Sequence, residues 1–287
     1  MKIDFKCNQN ENENIPKDIV ENLKLKFPVL HTRAKDISIV SKKLKIYKND
    51  NICKVPFCTT VEAEAFGGLI NLGDDKNTPR VKEYAYNNLD ELSKINKIDF
   101  NNGRIKEVLG SIRILQNDEI VSLNICGPIT ILSLLIDLKY FYKSVRKKDT
   151  VILDIMKILE DNIVNYAIRG YRCGAKIISY SDPVGDINIV GPKVYKEVVL
   201  NSTLNIIKRI LDETDDIVIH LCGKTSSSLY NLDVCEFNEI RYDNNLTYGE
   251  AICNLLDDKC VKLIGNNCMK RTPHKLKNSI IYSIEIK

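Results

Sequence analysis

The sequence has few of the features that mark membrane, secreted or nucleic-acid-binding proteins. No apolar run approaches the roughly 18 residues of a membrane span. The polar N-terminal segment lacks the apolar core of a signal peptide. The formal net charge is only +4, from 42 basic and 38 acidic residues, and the basic residues form no stripe. We therefore predict a cytoplasmic protein that binds neither a membrane nor nucleic acid.

The glycine signatures of nucleotide sites are also absent. No strand-to-helix turn carries GxGxxG or GxxxxGK[ST], which argues against dinucleotide and P-loop binding. GxSxG is missing too, so the sequence contains no nucleophile elbow of a hydrolase. Histidine occurs only three times in the 287 residues.

Cysteine, in contrast, occurs ten times, and a cytoplasmic location predicts mostly reduced thiols. Eight of these cysteines show no metal-ligand spacing, and we expect them to be small buried or half-buried side chains. The eight are Cys7, Cys53, Cys58, Cys126, Cys173, Cys235, Cys253 and Cys260.

Helices and strands are predicted to alternate along most of the chain. Residues 17–47 carry apolar residues at three- and four-residue spacing, which predicts two helices separated by Pro28. From about residue 53, short apolar runs such as EIVSLNICGP, AKIISYSD and DIVIHLC predict strands with helices between them. This alternation is typical of βα units and a parallel sheet, and both a doubly wound sheet and a closed barrel fit it.

The strand DIVIHLC ends in two side chains that could bind a metal. Side chains alternate along a strand, so His220 and Cys222 share one face, at the end where parallel α/β folds place their sites. Cys268 follows KLIGNN, at the end of the second strand after His220, and we expect these two strands to be close neighbours. The residues alone leave two interpretations: three ligands of a catalytic zinc with an open fourth position, or a buried thiol beside an incidental imidazole.

Five segments resemble the uroporphyrinogen decarboxylase superfamily in order and spacing, over roughly residues 50–270. They are PFCTTVEAEAFGG, NICGPITILSLL, YSDPVGDINIVGPKVYKEVV, IHLCGKTSSSL and KLIGNNC. Within the superfamily they are most similar to corrinoid-dependent methyltransferases, such as methylcobamide:coenzyme M methyltransferases, which bind zinc through His-x-Cys and a distant Cys. The resemblance implies His220, Cys222 and Cys268 as zinc ligands, and a (β/α)8 TIM barrel with the site at its C-terminal mouth.

The same resemblance implies a methyl-transfer reaction. The donor would be a methylated corrinoid, a cobalamin-type group carried on a separate corrinoid-binding protein. The acceptor would be a zinc-activated small thiol such as coenzyme M or homocysteine, whose thiolate attacks the methyl group on Co(III). Tetrahydrofolate is an alternative acceptor, although zinc favours a thiol.

Three carboxylates are candidate catalytic residues. Glu62 and Glu64 lie two residues apart on a predicted helix, so at most one of them faces a site, and the resemblance favours Glu62. Asp182 ends a strand before Pro183, where it either meets substrate or caps the turn. Asp243 follows a strand at a position that is often acidic in the family, and a turn carboxylate is the alternative interpretation.

Two parts of the chain depart from the family pattern. The first 50 residues match poorly, which predicts a missing or reshaped first barrel strand. We expect residues 1–48 to form a helical extension packed on a single barrel domain of residues 1–287. The tail after Cys268 is short, which predicts an abbreviated closure of the barrel. His31 and His274 have no partners in view and are predicted to lie at the surface.

Two other functions remain as alternatives. A non-catalytic barrel could bind a corrinoid protein or a thiol metabolite, although such a scaffold has no need of His-x-Cys. A uroporphyrinogen decarboxylase must hold a polycarboxylate through clustered arginines. The first 70 residues contain one arginine, Arg33, so this activity is disfavoured.

Overall fold

The computed structural model describes residue 5 and residues 15–95, 97–258 and 260–287. Its strands are β1 Ile52–Val55, β2 Leu69–Asn71, β3 Arg80–Glu83, β4 Ile120–Cys126, β5 Ile177–Ser181, β6 Val218–Cys222, β7 Cys235–Arg241, β8 Leu263–Asn267 and β9 Ile280–Ile286. Its helices are α1 Lys17–Asn22, α2 Ala34–Tyr47, α3 Val61–Ala65, α4 Leu89–Leu92, α5 Gly103–Leu115, α6 Pro128–Leu135, α7 Leu138–Lys147, α8 Val151–Arg172, α9 Ile187–Val190, α10 Pro192–Val194, α11 Leu200–Asp212, α12 Gly223–Asn231 and α13 Tyr248–Leu255. Within these described ranges, no helix combines the length and the apolar character that crossing a bilayer requires.

Seven strands form one mainly parallel sheet. Their spatial order is β1-β4-β5-β6-β8-β9-β7, and the first five run parallel to one another. β2 and β3 pair separately as an antiparallel hairpin. The parallel strands confirm the predicted α/β class, because β1, β4, β5 and β6 are each followed by helix before the chain returns to the sheet.

Alternate residues of each strand enter different apolar cores. On one face of the sheet, Ile178 and Ile219 belong to the main core, which also receives residues of α8 and α11. On the opposite face, Ile177 and Val218 belong to a second core with Tyr248 of α13. Each buried aliphatic side chain contributes roughly 1.5–3 kcal/mol. The face that carries Val218 also carries both predicted zinc ligands of β6.

The described strands do not show the closed (β/α)8 barrel that we predicted. β1 and β7 are the edges of the seven-stranded sheet, and no described strand joins them. Parallel strands need a crossover connection, usually a helix. Residues 268–279 contain only the 3-10 turn Met269–Arg271, so β9 returns antiparallel to β8. β9 therefore occupies the place beside β8, and β7 pairs with its far side.

The described N-terminal region is helical, as predicted. α1 and α2 are separated by a 3-10 turn, Val29–His31, which follows Pro28, and α2 packs against α5 and β1. The prediction for His31 was wrong: it is buried, near the rings of Phe27 and Phe57. Burial, together with the charge of Arg104, lowers the pKa of His31 to about 4. The division into a barrel domain and an extension stays a prediction.

His274 and most of the eight cysteines outside the predicted zinc ligands follow the predictions. His274 is exposed. Cys260 is the exception among the cysteines, because it is exposed, and Cys7 lies outside the described residues. The buried or half-buried ones are Cys53, Cys58, Cys126, Cys173, Cys235 and Cys253.

Candidate functional site

His220 lies on an inner strand of the sheet and is fully buried. Its Nε2 is 3.1 Å from the hydroxyl oxygen of Tyr248, the first residue of α13. Its Nδ1 has no hydrogen-bond partner among the described residues. Burial lowers the pKa of His220 to about 4, so the ring is neutral at pH 7. A neutral imidazole with an unpartnered nitrogen is the form that binds zinc.

Cys222 ends β6 and directly precedes α12. Strand alternation sends its side chain to the same face as that of His220. Cys222 is half-buried. The next residue, Gly223, allows a close approach, because a Cβ there would lie 2.5 Å from the ring of Phe5.

A β-bulge in β8 brings Cys268 close to the end of β6. His220 pairs with Ile264, whereas Cys222 pairs with Asn267, so β8 has one residue more than β6 over this stretch. Cys268 is half-buried and follows Asn267 directly. The two cysteines therefore extend from the ends of hydrogen-bonded neighbouring strands, as predicted.

A serine of α12 holds this bulge in place. Asn266, in the bulge, has a left-handed φ of 57°. Its N–H donates to the Ser226 hydroxyl at 2.8 Å, and that hydroxyl donates to the Cys222 carbonyl at 3.1 Å. Gly265 leaves room for the contact, because a Cβ there would be 2.8 Å from the Cβ of Ser226. Bulges often re-aim side chains next to active sites.

The three predicted zinc ligands lie on or directly after two neighbouring strands, and their role as a zinc site stays a prediction. In the described part of the chain, no three His, Cys, Asp or Glu side chains are gathered closely enough to hold a metal ion. Their chemistry nevertheless suits zinc, since imidazole nitrogen and cysteine sulfur are its usual ligands. The unpartnered Nδ1 of His220 fits this role as well.

Glu62 is buried on α3, at the end of β4 and two strands away from β6. Its Oε1 accepts a hydrogen bond from the Cys126 N–H at 2.8 Å, and its Oε2 has no partner among the described residues. Burial raises the pKa of Glu62 to about 7, against the lowering effect of that N–H and of Arg104. Glu64 is half-buried and forms an ion pair with Arg104. The two carboxylates of α3 therefore point in different directions, as predicted.

Asp182 follows β5 and is buried against the start of α6. Its Oδ1 accepts from the Thr130 N–H at 2.7 Å and from the Thr130 hydroxyl at 2.6 Å, and its Oδ2 accepts from the Ile129 N–H at 3.2 Å. Burial raises the pKa of Asp182, while these hydrogen bonds oppose the shift. Gly127 makes room for the carboxylate, because a Cβ there would lie 2.3 Å from the Cβ of Asp182. The carboxylate thus caps α6.

Asp243 is exposed and lies beyond the end of β7. Its carboxylate accepts a hydrogen bond from the Asn245 N–H at 2.8 Å, as in an Asx turn. β8 and β9 separate β7 from β6 in the sheet. The structure therefore does not bring Asp243 to the His220 face, and its role in catalysis stays a prediction.

Comparison with known proteins decides the family. The profile of the uroporphyrinogen decarboxylase (URO-D) family matches residues 14–267, which is most of the chain. The chain belongs to the uroporphyrinogen decarboxylase family. The match includes His220 and Cys222 and ends one residue before Cys268.

Relatives within the URO-D family include methyltransferases. The chain is 25% identical over 232 residues to methylcobamide:CoM methyltransferase MtbA of Methanosarcina acetivorans, a match covering 80% of this chain and 68% of that protein. It is 27% identical over 219 residues to methylcobamide:CoM methyltransferase MtaA of Methanosarcina barkeri, covering 74% and 63%. A solved methyltransferase structure from Methanosarcina mazei matches with a TM-score of 0.64 and 23% identity, over 75% of this chain and 64% of that one. The chain thus spans about two thirds of the length of these relatives.

Residues that the URO-D resemblance did not single out complete the surroundings of His220. Tyr248 approaches its ring, and Ser226 supports the adjacent bulge. The sequence gives a partial signal for Tyr248, since Thr247 and Glu250 form a capping box that marks the start of α13. It gives no signal for which strand that helix covers, because this contact is not local.

The raised pKa of Glu62 predicts a pH-dependent stability. A carboxyl with a pKa of about 7 in the folded chain and an ordinary value of 4.5 binds more protons when folded. The contribution of Glu62 to stability therefore falls as the pH rises from about 4.5 to 7, whereas His31 and His220, with pKa values lowered to about 4, contribute in the opposite direction up to about pH 6.5. At about 1.4 kcal/mol per pKa unit, the loss is roughly 3 kcal/mol. Glu62→Gln should remove this contribution, so its stability relative to the wild type should rise between pH 5 and pH 8, as measured by urea unfolding of both proteins at the two pH values.

The exposed carboxylate of Glu21 on α1 provides the control. Glu21→Gln should keep the pH dependence of the wild type. Parallel stability curves for the wild type and Glu62→Gln would show that the buried carboxyl does not titrate in this range.

Proposed function

We propose that this protein transfers a methyl group from a methylated corrinoid, carried on a corrinoid-binding protein, to a small thiol, with zinc bound by His220, Cys222 and Cys268. Coenzyme M and homocysteine are the first acceptors to test. The observation that carries the proposal is the pairing of β6 with β8, which sets the end of the His-x-Cys strand beside the residue that precedes Cys268. The names of the URO-D relatives MtbA and MtaA support the reaction class.

Within this proposal the described residues have separate tasks. Tyr248 fixes the imidazole through Nε2, which leaves Nδ1 for the metal. Ser226 holds the bulge of β8 against the carbonyl of Cys222. A zinc ion in this set would hold the acceptor thiol as its thiolate in an open position.

The proposed reaction is a displacement at carbon. The sulfur of the acceptor thiolate forms a bond to the methyl carbon, and the cobalt–carbon bond breaks with its electron pair remaining on cobalt. The products are a thioether and Co(I), and the proton of the free thiol is released to solvent. No external oxidant or reductant is required.

Metal analysis and a methyl-transfer assay test the proposal together. Protein purified without chelator should contain about one zinc per chain, the number that one three-ligand site binds. With methylcobalamin as donor, a panel of thiols should cause loss of the methyl-Co(III) absorbance. Tetrahydrofolate belongs in the same panel.

The negative outcomes are distinct. Zinc with no transfer to any acceptor in the panel, even with corrinoid protein supplied, would favour the non-catalytic alternative that binds a corrinoid protein or thiol. Absence of zinc from freshly purified protein would contradict the proposed ligand set.

A further inference from the structure

A cavity opens between α2 and the edge strand β1. Four of its lining residues are lysines: Lys45 and Lys48 at the end of α2, Lys54 of β1 and Lys270 of the turn that follows Cys268. The cavity offers about 70 Å³ to the centres of water molecules. One water needs roughly 10–15 Å³ by this measure, so the space fits several waters or a small organic molecule.

One carboxylate, that of Asp50, lines the cavity, and its acceptor positions are already used. Its Oδ2 receives the Thr272 hydroxyl at 2.7 Å and lies 2.7 Å from the Lys54 ammonium. Its Oδ1 receives the N–H groups of Asn51 and Ile52 at 2.8 and 3.3 Å. Asp50 therefore has little capacity to bind a further cation.

Lys54 keeps a donor for a ligand. Its ammonium group contacts the Asp50 carboxylate and donates to the Met269 carbonyl oxygen at 2.7 Å. An ammonium has three N–H donors, so the third has no partner among the described residues. Asn124 also lines the cavity and donates one amide hydrogen to the Pro56 carbonyl, which leaves its second N–H.

Apolar side chains line other parts of the cavity. Leu44 lies on the α2 side, and Ile52 and Phe57 lie on the β1 side. Cationic groups beside apolar side chains match a ligand with a short apolar body and an anionic head. A carboxylate, a sulfonate or a phosphate can accept charge-assisted hydrogen bonds from the ammonium groups.

We propose that this cavity, the lysine cavity, binds a small organic anion through Lys54, Lys48 and Lys270. The lining residues of this cavity do not include the proposed zinc ligands, and anion binding there needs no metal. Two links connect it with them. Lys54 bonds the carbonyl of Met269, the residue after Cys268. Asn124 pairs with Ser179, which pairs with His220, so all three lie in one row across the sheet.

Direct binding measurements test the proposal without zinc or methyl transfer. Full-length protein is titrated by calorimetry at low ionic strength with propionate and with ethanesulfonate, and propanol serves as the neutral probe. Both anions should bind saturably and the alcohol should not. The double variant Lys48→Gln/Lys270→Gln should weaken anion binding about tenfold or more, because two charge-assisted contacts are lost.

A matched control distinguishes binding inside the cavity from a general effect of the protein's net charge. Lys35 and Lys43 are exposed on α2 and do not line the cavity. Lys35→Gln/Lys43→Gln removes the same net charge and should leave the affinity within about twofold. Absence of saturable binding by both anions, or equal weakening in both double variants, would overturn the proposal. The calorimetric measurement of anion binding does not depend on methyl transfer. Its result can therefore be interpreted even if the protein transfers no methyl group.

A second arm identifies the source of the anion. It compares two acceptor thiols in methyl transfer, mercaptopropionate, which carries a carboxylate, and mercaptoethanol, which is neutral. If propionate raises the Michaelis constant for mercaptopropionate but leaves that for mercaptoethanol unchanged, the lysine cavity holds the anionic end of the acceptor. If propionate binds and neither Michaelis constant changes, the cavity holds a separate anion. Both results support the site and assign its ligand.

Discussion

Cys268→Ala should lose zinc and methyl transfer together. A set of one imidazole and two thiolates loses a direct ligand in this variant, whereas changes to outer-shell partners alone cost about 10–100-fold in metal affinity or activity. We therefore expect zinc affinity and the transfer rate each to fall by more than about 100-fold. Metal content after dialysis against a weak chelator and the methylcobalamin assay measure the two effects.

Cys253→Ala is the matched control for this variant. Cys253 is also half-buried, but it lies on α13 and packs with the second core. Its substitution should leave zinc content and transfer close to those of the wild type. Cobalt-substituted protein adds a readout that does not depend on activity, because the thiolate-to-cobalt absorbance should decrease only in Cys268→Ala. Unchanged zinc in Cys268→Ala would remove this residue from the ligand set.

Asp182→Ala should destabilise the fold more than it affects chemistry. The change removes the acceptors of the Ile129 and Thr130 N–H groups and of the Thr130 hydroxyl, all inside the protein. Buried donors without partners cost about 1–3 kcal/mol each, so we expect a loss of about 3 kcal/mol or more. The free energy of unfolding in urea measures this loss. Asp182→Asn, which keeps one acceptor oxygen, should lose less.

Asp243→Ala is the comparison, since its carboxylate is exposed and accepts one turn hydrogen bond. The free energy of unfolding of Asp243→Ala should differ from that of the wild type by less than about 0.5 kcal/mol. The family position nevertheless makes Asp243 a catalytic candidate, so transfer rates are measured for both variants. Full stability of Asp182→Ala with lost transfer would mean that this carboxylate acts on substrate and does not chiefly cap α6.

Local patterns in the sequence were sufficient for the part of the fold that carries the site. Short apolar runs bounded by glycine and proline identify β4, β5 and β6, because a strand buried on both faces has few polar residues. The two-residue period of β6 assigns His220 and Cys222 to one face, and the structure has β8 directly beside β6. The family resemblance, and not the spacing, selected Cys268 among the cysteines.

The features that were not predicted depend on contacts between distant segments. The insertion of β9 between β8 and β7 follows from a missing crossover helix, whose effect on strand order is decided by the whole sheet. The bulge at Asn266 requires Ser226 of another element as its partner. The burial of His31 results from the packing of Phe57 against it, far along the chain. None of these contacts leaves a periodic pattern in the sequence.

The edge strand β7 also bears on strand addition between molecules. β7 has β9 on one side, and no described strand pairs with its other edge, whose main-chain donors and acceptors are those to which a strand of another molecule could add. Glu236, Glu239 and Arg241 are exposed along this strand. Charged side chains on an edge strand oppose such addition and hence aggregation. The charges on β7 thus disfavour strand addition at an edge that no described strand covers.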